Sequence, residues 1–253
     1  KSTDELKKEA IKKIHSLQER GCDLGYGIEA NGTAPSFIRK NMETLFLNAR
    51  KALYSGIEPS VIKGSCIKPI AVSTNSADRD DYLAHPNTGE TISGEYFGEI
   101  NRLNSNNNSR PDIQFIISDG LNADAVSEHL KHVLPPIRKH LTRNGKKVSQ
   151  FEIVLKNGRV RAGYHVGRLM QPEMIVHFIG ERPGTGLNQL SAYITYGKDL
   201  SGKVIFDSEM DHSNTSAVCG IHPKGKPYKA AVEEIISVVL RGLEQKSTGV
   251  KFQ

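Results

Sequence analysis

The sequence predicts an α/β protein, a mostly parallel β-sheet covered on both sides by helices and preceded by a small all-helical N-terminal domain. Three observations carry this. Beyond residue 110, short apolar runs of strand length alternate with longer segments of helical periodicity. One of those runs, residues 174–179, is nearly continuous in apolar side chains, as a strand buried on both faces must be. The first sixty residues show helical spacing with no strand-like alternation.

Taken in order, Ser2-Thr3-Asp4-Glu5 reads as a capping box, with Leu6, Ala10, Ile14 and Leu17 at helical spacing and Gly21 as the stop. A Gly/Asn stretch over 25–32 follows. Pro35 then leads into a second amphipathic helix through Phe37, Met42, Leu45, Phe46, Ala49 and Leu53. Residues 1–60 form the helical N-terminal domain. Residues 61–110 read as a connection, with a strand near 67–72, a helix over 89–103 and a polar Asn/Ser linker at 104–109.

Residues 111–253 carry the sheet. Strands are predicted at 113–117, 151–155, 174–179, 190–196 and 216–221. The helix through Val126, Leu130, Leu134, Ile137 and Leu141 contains Pro135-Pro136, which should kink or split it. Pro227 opens a closing helix through Ala231, Ile235, Val239 and Leu243. The whole describes a three-layer α/β/α, Rossmann-like sandwich, whose ligands dock outside the carboxyl ends of the strands.

Composition narrows the function. In 253 residues, 37% hydrophobic and 25% charged content is that of a globular protein, not a disordered or collagen-like one. No apolar run has the roughly 18 residues of a membrane span, and the first residues lack a signal-peptide pattern. A net charge of +6 raises nucleic acid as a partner, but the basic residues are interleaved with carboxylates. Trp is absent and aromatics are 6%, so we expect no nucleic-acid partner. Cys22, Cys66 and Cys219 form no C-x-x-C pair, so neither zinc nor a disulfide frame is signalled.

Four strand-flanking loops could carry chemistry: Ser118-Asp119-Gly120-Leu121, Gly158-Arg159-Val160, Gly180-Glu181-Arg182-Pro183-Gly184, and Ala217-Val218-Cys219-Gly220. The third is the most informative, since its two glycines let backbone approach a ligand closely; a plain turn with Glu181 paired to Arg182 is the competing reading. Asp119-Gly120 reads as an ordinary turn. No dinucleotide fingerprint, P-loop or nucleophile elbow occurs. His129 and His132 read as solvated helix-face residues, with no metal site, and Cys219 as a small packing residue. No catalytic residue set is complete. The chain reads as a ligand-binding α/β domain with a helical attachment.

The same loops carry a resemblance. Asp112-Ile113-Gln114, Ser118-Asp119-Gly120-Leu121, Leu134-Pro135-Pro136, Gly158-Arg159-Val160 and Gly180-Glu181-Arg182-Pro183-Gly184 occur in that order. Leu190-Ser191-Ala192-Tyr193 with Tyr196, Ile221-His222 with Gly225 and Pro227, and Glu244-Gln245-Lys246 before Gly249 follow. Tyr82-Leu83, Pro86 and Gly89 extend the series upstream. This pattern resembles the small (light) subunit of ethanolamine ammonia-lyase. Arg168 stands where that family usually has an acidic residue, and Asn214-Thr215-Ser216 replaces its Asp-Arg-Thr.

The resemblance implies an adenosylcobalamin-dependent lyase that turns ethanolamine into acetaldehyde and ammonia. It implies a large, barrel-forming partner subunit that supplies the substrate site, a higher hetero-oligomer, and a home in the bacterial cytoplasm within a microcompartment. The family's cobalamin contacts fall on Val160, Glu181 and Ala217, the last through its backbone. Cobalt–carbon homolysis belongs to the cofactor, while protein orients it and excludes solvent. A diverged stand-alone cobalamin-binding module, a paralogue acting on another amino alcohol, and a flavodoxin-like nucleotide enzyme remain as alternatives.

Overall fold

The computed structural model describes residues 1–20, 36–105, 110–184, 187–199, 201–206 and 210–251. The Gly/Asn stretch at 25–32, Cys22, and residues 106–109 of the polar linker lie outside them.

Six strands form one sheet. They are β1 (Pro69–Ser73), β2 (Ile113–Ser118), β3 (Glu152–Lys156), β4 (Met174–Gly180), β5 (Leu190–Tyr196) and β6 (Thr215–Ile221), in the spatial order β1-β3-β2-β4-β5-β6. The β1–β3, β3–β2 and β2–β4 pairs are parallel, while β4–β5 and β5–β6 are antiparallel. Every residue of β2 and of β4 is buried, as their unbroken apolar runs require. The α/β class and the mostly parallel sheet are as the sequence predicts.

Eight helices accompany the sheet among the described residues: α1 (Thr3–Glu19), α2 (Ser36–Leu53), α3 (Pro59–Ser65), α4 (Arg79–Ala84), α5 (Phe97–Ser105), α6 (Ala123–Arg143), α7 (Val160–Met170) and α8 (Tyr228–Gln245). Ser2 caps α1 as expected: its Oγ accepts from Glu5 N–H, and its own N–H donates to the Glu5 carboxylate. Alternate residues of the strands feed two cores. Ile113, Phe115 and Ile117 of β2 join Val126, Leu130 and Ile137 of α6 and Ile235 and Val239 of α8. Ile116 of β2 and Ile175 of β4 join Ile100 of α5 and Ala162 and Val166 of α7.

Three expectations are corrected. The segment over 89–103 is not one helix. It has 3-10 turns at Pro86–Glu90 and Gly94–Tyr96 before α5, although Ile92 and Ile100 are buried as expected. Pro135-Pro136 does not split α6, which runs unbroken for 21 residues. Leu130, Val133 and Leu134 before the prolines, and Ile137 and Leu141 after them, are all fully buried. Each contributes about 1.5–3 kcal/mol, which together outweighs the roughly 3 kcal/mol that an internal proline costs.

Finally, Val160 is not in a loop: it is the first residue of α7. The inner face of α7 mixes small and large residues, Ala162, Gly163 and Gly167 with Tyr164, Val166 and Met170. A Cβ on Gly163 would lie 2.7 Å from His177 Nδ1, and one on Gly167 would lie 2.7 Å from the Phe206 ring, so the two glycines set how closely α7 packs.

Candidate functional site

The outgoing connection of β2 runs toward β3, and that of β4 runs the other way, to β5. Between two such strands the loops part and leave a crevice at their carboxyl ends. A cleft of about 300 Å³ lies there, lined by Gly120 and Leu121 after β2 and by Ile179, Gly180, Glu181 and Arg182 at the end of β4. Arg159, Val160 and Arg161 at the start of α7, with Tyr82, Pro86, Tyr193 and His212, complete its walls.

The floor is set by two glycines. Gly120 has φ +55°, a left-handed conformation that suits glycine, and its Cβ would lie 2.4 Å from the Gly180 carbonyl oxygen. A Cβ on Gly180 would lie 1.9 Å from the Asn122 carbonyl oxygen, whereas one on Gly184 would meet nothing. Gly180 therefore serves the close contact of the β2 and β4 ends, not ligand approach. Asp119 is no simple turn residue. Buried beneath the cleft, it accepts from the N–H groups of Asn157 (3.1 Å) and Gly158 (3.3 Å) and pairs with Arg79 at 3.3 Å.

The wall opposite is built by Tyr82, whose ring lies between the guanidinium carbons of Arg159 (4.2 Å) and Arg79 (4.6 Å). Its hydroxyl donates to the Gly158 carbonyl at 3.2 Å, and its own carbonyl accepts from Arg159 Nη2 at 3.0 Å. Gly89 sits against the same ring and accepts from Arg159 N–H at 2.8 Å. The upstream motif of Tyr82, Pro86 and Gly89 thus shapes the Gly158-Arg159-Val160 turn.

Glu181 is half-buried, and its Oε1 accepts from the Tyr193 hydroxyl at 2.9 Å; it does not pair with Arg182, which is exposed. Burial first, and then the Glu181 carboxylate, hold the Tyr193 phenol well above its ordinary pKa, so it stays a donor. The loop beyond Glu181 is moored at Asn188. That residue accepts from Asn122 Nδ2 (3.0 Å) and donates to Glu128 (2.7 Å), and its carbonyl takes His129 Nε2–H (2.6 Å).

His129 is therefore not a solvated helix-face residue. It is buried between Asn188 and the Tyr228 hydroxyl, while His132 is exposed and stacks on Tyr228. No metal-holding cluster of His, Cys, Asp or Glu occurs among the described residues.

Two of the three expected contact residues, Val160 and Glu181, line the same cleft, although 21 positions separate them in sequence. Ala217 is exposed on β6, where it pairs with Tyr193, and it is not among the lining residues. Cys219 is exposed, not packed: it alternates with buried Val218 and shares the face of exposed Ala217. A bulge follows: Ala192 pairs with Val218 but Leu190 with Ile221, and Gly220 takes φ +73° in the extra position, which returns Ile221 to the core. Tyr82, Arg159 and Tyr193 also line the cleft; the sequence signals them as members of the motifs Tyr82-Leu83, Gly158-Arg159-Val160 and Leu190-Ser191-Ala192-Tyr193, not as individual site residues.

A sheet of this topology, with an arginine- and tyrosine-walled cleft at its switch point, makes this an α/β protein with a candidate ligand site there. Residues 33–253 match the family model of the ethanolamine ammonia-lyase light chain (EutC), and the chain belongs to that family. Membership makes it a subunit of an ammonia-lyase and implies a large-subunit partner. No helix among the described residues is long and apolar enough to cross a membrane.

Proposed function

We propose that the chain is the small subunit of an adenosylcobalamin-dependent ethanolamine ammonia-lyase and that its cleft forms part of the cofactor site at the interface with the large subunit. The observation that carries this reading is the meeting of Val160 and Glu181 in one cleft between β2 and β4. The residues present fit the cofactor. Leu121, Val160 and Ile179 offer apolar surface to a corrin face, while Glu181, Arg159 and Arg182 offer an acceptor and donors to its amide rim. A cleft of about 300 Å³ is too small to swallow such a molecule, so it encloses one edge and leaves the rest to the partner.

When bound, adenosylcobalamin supplies the radical chemistry. Glu181, held by Tyr193, orients one edge of it, and Val160 at the start of α7 packs against it. Ala217, on β6 two strands over from β4, contributes backbone at the rim. No residue of this chain performs the elimination, so the chain alone is inactive. In this reading residues 1–60 form a helical unit. Residues 61–110 are a connection that lends the sheet its edge strand, and residues 111–253 are the cofactor-contacting domain of a Rossmann-like sandwich. The assembly is a higher hetero-oligomer in the bacterial cytoplasm, within a microcompartment.

The test mixes this chain, a large subunit and adenosylcobalamin and measures acetaldehyde from ethanolamine. Product should require all three. Turnover by this chain with cofactor alone, or full turnover without it, overturns the reading.

A further inference from the structure

We propose that Arg159 receives the phosphodiester of the nucleotide loop of adenosylcobalamin, so that the cofactor edge enclosed by the cleft is the one bearing that loop. The inference rests on the cofactor reading above and adds to it which edge of the molecule this chain holds, and by what group.

The argument begins with how Arg159 is held. It is half-buried, its guanidinium lies over the Tyr82 ring at 4.2 Å, and its Nη2 donates to the Tyr82 carbonyl at 3.0 Å. Its backbone N–H donates to the Gly89 carbonyl at 2.8 Å, so main chain and side chain are both fixed. Nε is buried without an acceptor, and Nη1 has none among the described residues. A guanidinium carries five N–H donors, so this one lines the cleft with most of them unused.

Its charge is unanswered as well. Around and beneath the cleft, Arg79, Arg159, Arg161 and Arg182 stand with Asp119, Glu90, Glu181 and Asp211, a neutral set. The pairing is uneven. Asp119 takes Arg79 at 3.3 Å, Glu90 (3.9 Å) and Asp211 attend Arg161, and Glu181 takes the Tyr193 hydroxyl. Arg182 is exposed to water. Arg159 is partly withdrawn from water and has no carboxylate partner among the described residues. A cation in that position favours an anion brought by the ligand.

Cobalamin brings one. The side chains of its corrin end in neutral amides, and its peripheral negative charge lies on the phosphodiester of the nucleotide loop. Phosphate oxygens accept from a guanidinium in charge-assisted bonds, for which the planar fork of arginine is the best-matched side chain. The Glu181 carboxylate repels the same group, so it takes a donor of that edge, an amide or a hydroxyl.

The test measures equilibrium binding, not turnover. The complex of this chain with a large subunit is titrated with cobalamin and with cobinamide, both in the cyano form. Cobinamide keeps the corrin and its amides but lacks the nucleotide loop and its phosphodiester. Arg159→Met should weaken cobalamin binding roughly 10- to 150-fold and leave cobinamide binding nearly unchanged. Arg159→Lys, which keeps the charge, should recover part of the loss, and the exposed control Arg143→Leu should bind both ligands as wild type does. An equal loss for the two ligands in Arg159→Met would make the residue merely structural and overturn the proposal, as would an unchanged affinity for cobalamin. A wild-type complex that binds neither corrinoid overturns the cofactor reading itself, and this proposal with it.

Discussion

The Tyr193 hydroxyl donates to Glu181 Oε1 at 2.9 Å, tying a residue of β5 to the first residue beyond β4 across the mouth of the cleft. The two strands are antiparallel neighbours, so the phenol reaches back to the loop that follows its partner strand. The protein thereby aims one oxygen of the carboxylate.

Glu181→Ala should weaken cobalamin binding in the assembled complex by roughly 10- to 150-fold, the equivalent of about 1.5–3 kcal/mol for a lost bond to a charged acceptor. The subunit should stay folded. Tyr193→Phe should show a smaller loss, because it frees the carboxylate without removing it. Titrating cobalamin into complexes of each variant checks both; wild-type affinity in Glu181→Ala with normal assembly would remove Glu181 from the site.

The glycines of the Gly180–Gly184 turn should separate cleanly. Gly180→Ala pushes a Cβ to 1.9 Å from the Asn122 carbonyl oxygen, and neither backbone can give way cheaply. We expect a loss of about 3 kcal/mol or failure to fold. Gly184→Ala meets nothing and should stay within about 0.5 kcal/mol of wild type. Urea unfolding of both variants decides the point.

His177 of β4 predicts an acid limb. It is fully buried, and burial pushes its pKa down from 6.5 to about 4. The folded state thus binds fewer protons than the unfolded one between those values. Stability is complete above about pH 6.5, falls as pH drops, and has lost about 3 kcal/mol near pH 4. His177→Leu should flatten this limb in urea midpoints measured from pH 7 to 4, and an equally steep limb in the variant would contradict it.

Glu152, fully buried, holds the entry to β1. It accepts from Ile67 N–H (2.9 Å) and Lys68 N–H (3.0 Å) and pairs with Arg138 of α6. Glu152→Ala strands the guanidinium and two backbone donors and should cost about 3–5 kcal/mol. Thermal unfolding reads this, and protease cutting near residue 67 should rise.

Much of this architecture is written in side-chain pattern. Strands such as 113–117 and 174–179 are legible because burial on both faces demands unbroken apolar runs. The packing of helix α7 is not, because Gly163 and Gly167 admit the bulk of His177 and Phe206, contacts that no local pattern shows. Alternation predicts a side chain's face only until a bulge adds a residue: Val218 and Ile221 share the core across the bulge that Gly220 marks, whereas Cys219 lies outward by plain alternation with Val218. In the site, the glycine turns mark the loops of Val160 and Glu181, and the family resemblance singles out those two residues within them. Tyr193 and Tyr82 act through contacts that only the sheet order creates.

The bulge at Gly220 falls on an outer strand, where a flat ribbon would offer a continuous row of amide groups to any extended chain that drifted past. Edges of that sort invite strand addition and aggregation, and proteins commonly blunt them with an interruption of this type. The added residue breaks the hydrogen-bonding rhythm of β6 near its end and turns the strand's rim aside. The chain is thereby a poor template for self-stacking, and the glycine that returns Ile221 to the core also keeps that margin from zipping onto its neighbours.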